Sequence, residues 1–172
     1  VREQYFGFLR DYYQQIHPLN LSHLKDQIDD LVYDGHWKPF FESIAGAYHE
    51  NSSIRDGMEG ERNLQGFLKA YLALASYYLV EPELEMNYGY CDFFLLPDKQ
   101  RYPDIEHSYI LELKYAARTA TDAELAAQAE EGRRQLHQYS EDKIARQLAK
   151  GTTLHRLLLQ FRGWEMLRCE EI

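Results

Sequence analysis

The chain has 172 residues, of which 45% are hydrophobic, 14% aromatic and 27% charged, and its formal net charge is −9. These values are typical of one folded domain with an appended segment, and they exclude intrinsic disorder. The two cysteines are too few for a zinc quartet or a disulfide framework, and they favour a reducing compartment. The acidity argues against a protein that coats DNA, and no apolar run approaches the roughly 18 residues that a membrane helix needs.

The first third of the chain has apolar residues at helical spacing and predicts three amphipathic helices. The first covers residues 5–16 and ends at Pro18, and the second presents Leu24, Ile28, Leu31 and Val32 on one face before Gly35 ends it. The third covers Trp37 to Tyr48, and the polar stretch from Glu50 to Gly60 is predicted to be a linker.

The remaining chain changes from helical to alternating periodicity and back. A helix over 61–79 is followed by strands over 80–86, 90–96 and 108–115. A second long helix over 121–150, with a possible break near Gly132, precedes strands over 152–161 and 164–169. This order predicts an α/β domain with a mixed central sheet flanked by helices and a helical extension at its N-terminus.

Two charged residues interrupt the third strand. Glu112 and Lys114 are two residues apart, so they project from the same face of an otherwise apolar strand. Burying a carboxylate and an ammonium there is unfavourable unless they pair with each other or bind a ligand. One interpretation is a structural ion pair at the sheet edge, and the other is a functional site.

Asp92 interrupts the second strand in the same way. Consecutive strands most simply pair as antiparallel neighbours, which would bring Asp92 and Glu112 together at one end of the sheet. Two close carboxylates, with the main-chain carbonyl of Leu113 beside them, favour a hard cation such as Mg²⁺. Taken alone, Asp92 is better interpreted as a residue next to a turn that accepts main-chain hydrogen bonds.

Together, Gly89-x-x-Asp92 and Glu112-Leu113-Lys114 resemble the signature of the PD-(D/E)XK nuclease superfamily. The resemblance implies a restriction-endonuclease-like fold and a phosphodiesterase site with Mg²⁺, or Mn²⁺, as cofactor. It implies that Asp92, Glu112 and the Leu113 carbonyl hold the metal and that Lys114 positions the attacking water. Two helix motifs are similar to those of the same superfamily. They imply that Glu61, before the sheet, is a further metal ligand and that Gln135 and Tyr139, after the third strand, contact the nucleic acid.

Simpler interpretations of these helix residues stay open. Glu61 could complement the dipole of its helix, and Gln135 and Tyr139 could be boundary residues of an amphipathic helix. Arg134 lies beside Gln135 in a late basic group that could line a phosphate-binding groove or form an ordinary solvated face. The other members of that group are Arg133, Lys143, Arg146, Lys150, His155, Arg156 and Arg162.

More narrowly, the run Glu61-Arg62-x-x-x-Gly66-Phe67 with the later motifs resembles the nuclease-like C-terminal domain of bacterial AAA-ATPase-like proteins. That resemblance implies a cytoplasmic protein in which residues 1–57 connect a preceding ATPase region to a nuclease-like domain at 58–172. It implies nucleic acid as a partner, with DNA favoured over RNA, no membrane, and no particular oligomeric state. The alternative is a catalytically silent module that serves the ATPase. A basic surface beside Asp92 and Glu112 would favour the nuclease, and an acidic or apolar surface there would favour the silent module.

Overall fold

The computed structural model describes residues 21–53, 60–86 and 89–172. The helix predicted over 5–16 therefore lies outside the described residues, as does most of the predicted linker. The five helices of the described part are α1 (Leu21–Asp29), α2 (Lys38–Ser53), α3 (Glu61–Leu72), α4 (Asp122–Glu141) and α5 (Lys143–Leu148). The five strands are β1 (Tyr78–Met86), β2 (Gly89–Pro97), β3 (His107–Ala116), β4 (Thr153–Arg162) and β5 (Glu165–Glu171). None of the described helices is long and apolar enough to cross a bilayer.

The strands form one mixed sheet in the order β1-β2-β3-β4-β5, which confirms the predicted architecture. Only β3 and β4 run parallel, and the crossover between them is made by α4 and α5. The predicted antiparallel pairing of β2 with β3 is present, with Phe93 opposite Leu111. Strand β3 is central and buried along most of its length, so any charged side chain on it must find a partner.

Two hydrophobic layers cover the two faces of the sheet. One layer joins α1, α2 and α3 to the sheet, and it includes Leu31, Phe41, Phe67 and Phe161. The other packs α4 and α5 on the opposite face, around Leu136 and Tyr139 among others. Helices α1 and α2 thus share a core with the sheet, although the sequence places them in a separate extension; the division at residues 57 and 58 stays a prediction.

The predicted second helix ends at Gly35, as expected. Gly35 has φ 68° and follows a short π-helical turn, Asp30–Asp34, that continues α1. A side chain at this position would be strained in the left-handed conformation and would meet the ring of His107 at 2.7 Å. The glycine therefore both ends the helix and lets it approach the start of β3.

Two predicted boundaries in the first half of the chain are wrong. Helix α2 continues to Ser53 instead of giving way to a linker at Glu50. Helix α3 ends at Leu72 rather than at residue 79, because the chain from Tyr78 onward pairs with β2 and its apolar residues fit a strand as well as a helix.

The long helix after β3 continues without a break through Gly132 and ends at Glu141. Asp142 separates α4 from α5, since its side chain accepts a hydrogen bond from the Ile144 amide and caps the second helix. Gly132 is instead a packing residue: a Cβ there would lie 2.6 Å from Leu158 Cδ1 on β4. The missing side chain allows α4 to approach the sheet closely.

Candidate metal and catalytic site

The candidate site forms where β2 and β3 separate. Their paired residues end at Phe93 and Leu111, and one residue beyond, the Asp92 carboxylate accepts a hydrogen bond from the main-chain amide of Leu113 at 2.7 Å. The side chain of Asp92 thus takes the place of the next main-chain partner. This bond fixes Asp92 against the Glu112-Leu113-Lys114 segment of β3.

Glu112 and Lys114 form a pair on β3, as their spacing predicts. Lys114 Nζ lies 2.8 Å from Glu112 Oε1 and donates a second hydrogen bond to Gln135 Oε1 at 2.6 Å. The Glu112 residue is only 3% exposed, and its other oxygen, Oε2, is buried with no hydrogen-bond partner among the described residues. A buried carboxylate oxygen without a partner is unfavourable and marks a place for a cation or another donor.

Both carboxyl groups of the site have a raised pKa. Burial, followed by the charge of Asp92, raises the pKa of Glu112 to about 7. The hydrogen bond and the positive charge of Lys114 lower this pKa, but by less than the other causes raise it. Burial also raises the pKa of Asp92, and the hydrogen bond from Leu113 opposes this. Near neutral pH the pair therefore holds more protons than two exposed carboxyl groups would, and a bound cation would compete with those protons.

Helix α3 contributes the next polar groups. Gln65 Nε2 lies 3.4 Å from Asp92 Oδ1 and 3.5 Å from Glu61 Oε1, so one amide group connects the two carboxylates. Glu61 is exposed in the first turn of α3, and its charge adds to the raised pKa of Asp92. Glu61 therefore lies at the border of the site and is connected to Asp92 through the Gln65 side chain.

Helix α4 places its three predicted residues very differently. Gln135 contacts Lys114 directly, as described above. Tyr139 is 1% exposed, and its hydroxyl donates to the main-chain carbonyl of Tyr90 at 2.8 Å. Arg134 is exposed and pairs with Glu131 at 2.5 Å. The structure thus brings Gln135 into the site, whereas the burial of Tyr139 does not support the direct contact with nucleic acid that the sequence predicts.

Several residues of the site were not predicted from the sequence. Gln65 contacts Asp92, and this contact depends on how α3 packs. Gly132 lies 3.4 Å from Lys114 Cε, measured from the Cβ that it lacks, so the lysine stem passes beneath α4 at this point. Glu131 adds a negative charge that acts on Glu112. The only signal for Gly132 is a glycine in the middle of a strong helix pattern.

The predicted late basic group is neutralised only in part within the chain. Arg133 pairs with Glu130 and Glu170 and Arg146 pairs with Glu141, whereas Arg156 donates to the neutral Ser140 Oγ and keeps its charge. Beside Asp92 and Glu112, the charges that act on the site are those of Lys114, Glu61 and Glu131. The immediate surroundings of the site are therefore more acidic than basic.

The residues present fit a divalent cation with oxygen ligands. Within residues 21–53, 60–86 and 89–172, no three side chains of His, Cys, Asp or Glu converge tightly enough to hold a metal ion by themselves. Asp92 and Glu112 nevertheless supply two hard oxygen donors, and the unpartnered Glu112 Oε2 lacks only a positive partner. Mg²⁺ retains several waters and is commonly held by one or two carboxylates together with substrate phosphate, so a two-carboxylate site suits it.

Comparison with known proteins gives one family. A family model of the PD-(D/E)XK nuclease superfamily matches residues 59–171, which is well over half of the chain. The matched range begins just before α3 and includes every strand, so it contains Asp92, Glu112 and Lys114. The narrower resemblance to AAA-ATPase-associated domains is not confirmed by this match. No curated protein matches the chain.

Proposed function

The chain belongs to the PD-(D/E)XK nuclease superfamily, and on this premise we propose that it hydrolyses phosphodiester bonds of nucleic acid with Mg²⁺ or Mn²⁺. One observation carries the proposal: a buried carboxylate, Glu112, has one oxygen paired with Lys114 and the other without a partner, beside Asp92. A buried carboxylate oxygen without a partner is unfavourable, and a cation held between Asp92 and Glu112 would satisfy it.

Each residue of the site has a role in this proposal. Asp92 and Glu112 hold the cation, with the Leu113 carbonyl and Glu61 completing its protein ligands. When bound, the cation neutralises negative charge that develops on the phosphate. Asp92 also accepts a hydrogen bond from the Leu113 amide on β3, and this bond holds the Asp92 carboxylate in position relative to that of Glu112.

Lys114 is proposed to position the attacking water and to stabilise the developing negative charge. Gln135 fixes the lysine by accepting one of its hydrogen bonds, so the ammonium is oriented before substrate arrives. Tyr139 acts one step further away: its bond to the Tyr90 carbonyl holds the start of β2, and hence Asp92, in place. Arg134 is assigned to the approach of the nucleic acid, for which it must exchange Glu131 for a phosphate.

DNA is the favoured substrate, and the proposed setting is a cytoplasmic protein with an ATPase region preceding this domain. The second candidate function is a catalytically silent module of such a protein. The acidic surroundings of the site favour this second function, because Glu61 adds a negative charge beside Asp92 and Glu112, and together these repel a phosphate backbone unless a cation is bound.

A cleavage assay with matched variants separates the two functions. Single- and double-stranded DNA and RNA are incubated with the wild type, Glu112→Gln and Lys114→Met, each with Mg²⁺, with Mn²⁺ and with EDTA. Glu165→Gln removes an exposed carboxylate from β5 and is the control. Cleavage that needs metal, survives in the control and is lost in both site variants supports the nuclease. Absence of cleavage on all substrates, together with absence of Mg²⁺ and Mn²⁺ binding by calorimetry, supports the silent module.

A further inference from the structure

A second polar arrangement lies near the β5 edge of the sheet, on strands β4 and β5. Gln160 is 0% exposed in the middle of β4. Its amide nitrogen donates to the Leu125 carbonyl at 2.7 Å, and its amide oxygen accepts a hydrogen bond from Arg168 Nε at 2.9 Å. Because only the nitrogen can donate to a carbonyl, the first bond determines that the oxygen faces Arg168.

Gln160 orients the Arg168 guanidinium without cancelling its charge. Arg133, Arg134 and Arg146 each pair with a carboxylate, whereas no described carboxylate forms an ion pair with Arg168. A neutral amide uses only the Nε–H donor and leaves the two terminal nitrogens for another acceptor. The arrangement therefore keeps a full positive charge in a fixed orientation at the surface.

The oriented guanidinium borders an open groove of about 330 Å³ between the start of α4 and the β4–β5 hairpin. Arg162 also lines the groove, and it contacts Asp122 loosely, at 3.7 Å, through a carboxylate side chain that is 99% exposed. Two guanidinium groups thus line the groove with one solvated carboxylate, so the groove favours an anion.

The groove lies level with the candidate active site along the direction of the strands. Lys114 on β3 is the register partner of Gln160 on β4, and Gln160 is the register partner of Arg168 on β5. Two strand spacings separate the Cα atoms of Lys114 and Arg168, or roughly 10 Å. Helix α4 lies between the two positions, because Gln135 on one flank contacts Lys114 while Asp122 and Leu125 line the groove. A nucleic-acid strand whose scissile phosphate lies at Lys114 would therefore cross α4 and present to Arg168 a phosphate further along its backbone.

We propose that Arg168, oriented by Gln160 and assisted by Arg162, binds a backbone phosphate of the nucleic acid that the candidate site engages. The proposal rests on the proposed nuclease function. Arg168 is a positioning residue in it: the guanidinium fixes the strand and takes no part in bond breaking.

The test measures nucleic-acid binding in EDTA, where cleavage cannot occur. Fluorescence anisotropy with labelled single- and double-stranded DNA of about 20 nucleotides gives the Kd of the wild type, Arg168→Gln and Arg146→Gln across a series of KCl concentrations. Arg146→Gln is the control because it also removes one arginine charge, from an exposed arginine on α5. We expect Arg168→Gln to weaken binding roughly tenfold and to lower the slope of log K against log salt by about one, with the control unchanged.

A second variant guards against a folding defect. Arg168→Lys keeps the charge but cannot bond Gln160 and chelate a phosphate at once, so we expect an intermediate Kd with the wild-type salt slope. Thermal unfolding of every variant is compared with that of the wild type, and binding is measured below the lowest unfolding temperature.

The possible failures are distinguishable. If the wild type binds DNA and Arg168→Gln behaves as Arg146→Gln, the phosphate site is refuted while the nuclease proposal stands. If the wild type binds no nucleic acid in EDTA, the series is repeated with Mg²⁺ in the Lys114→Met background, and absence of binding there as well refutes both. If inorganic phosphate shifts the NMR signals of the Arg168 side chain while DNA leaves them unmoved, the groove binds a small phosphorylated ligand and the assignment to nucleic acid is refuted.

Discussion

Replacing the buried Glu112 with glutamine should make the protein more stable above neutral pH. The folded protein raises the pKa of this carboxyl to about 7 from an ordinary value of 4.5, chiefly through burial and the charge of Asp92. The folded state therefore binds the proton more tightly than the unfolded state. The charged form is disfavoured in the folded protein, and stability falls as pH rises from about 4.5 through 7.

The size of this effect follows from the shift. One pKa unit corresponds to about 1.4 kcal/mol, so the ionised Glu112 destabilises the fold by roughly 3 kcal/mol above pH 7 and by almost nothing near pH 4.5. Glutamine keeps the acceptor oxygen for Lys114 and has no charge to bury. We expect the stability difference between Glu112→Gln and the wild type to be near zero at pH 4.5 and to approach 3 kcal/mol at pH 8.

Urea unfolding in EDTA at pH 4.5, 6, 7 and 8 measures this difference, with Glu165→Gln as an exposed control on β5. A stability difference that does not change with pH, or a glutamine variant less stable than the wild type at pH 8, would refute the reasoning. Adding Mg²⁺ at pH 8 should stabilise the wild type and leave Glu112→Gln almost unchanged, because a ligand stabilises only the state that binds it.

Three further predictions concern the surroundings of the carboxylates. Lys114→Met should lower the cleavage rate at least a hundredfold in a gel assay while calorimetry still detects the metal, and cleavage at the wild-type rate would contradict the role given to the ammonium. Tyr139→Phe removes the bond to the Tyr90 carbonyl and should cost about 1 kcal/mol in urea unfolding, and no loss would mean that water replaces the bond. Gly132→Ala should cost roughly 1–3 kcal/mol in the same assay, whereas Gly66→Ala, where a Cβ meets nothing within 4 Å, should be neutral or stabilising; equal effects would contradict the close approach of α4.

The sequence predicts much of the fold because its periodicity is clear where elements are regular. The apolar runs around Asp92 and Glu112 predict both strands, and their succession in the chain predicts the antiparallel pairing that the structure confirms. The end of α3 is not predictable in the same way. The run from Leu72 to Val80 is apolar enough for a helix or a strand, and only its pairing with β2 decides between them.

The same distinction holds at the candidate site. The spacing of Glu112 and Lys114 alone predicts that they share a face, and they pair as expected. The contact between Gln65 and Asp92 cannot be predicted from spacing, since it depends on how α3 packs against the end of β2. The burial of Tyr139 is a property of the packed α4 face, on which a tyrosine can point inward or outward with the same helical spacing.

The arrangement of the strands also has a consequence for biosynthesis. The residues of the candidate site all precede β4 in the chain, yet the central strand β3 obtains its second neighbour only when β4 pairs with it. On the ribosome, the segment from Glu61 to Tyr139 therefore emerges with one edge of β3 uncovered and with Glu112 lacking the core that surrounds it in the folded domain. Under the proposed nuclease function, hydrolytic competence should then appear late in translation, after β4 has emerged, so that unfinished chains do not cut nucleic acid.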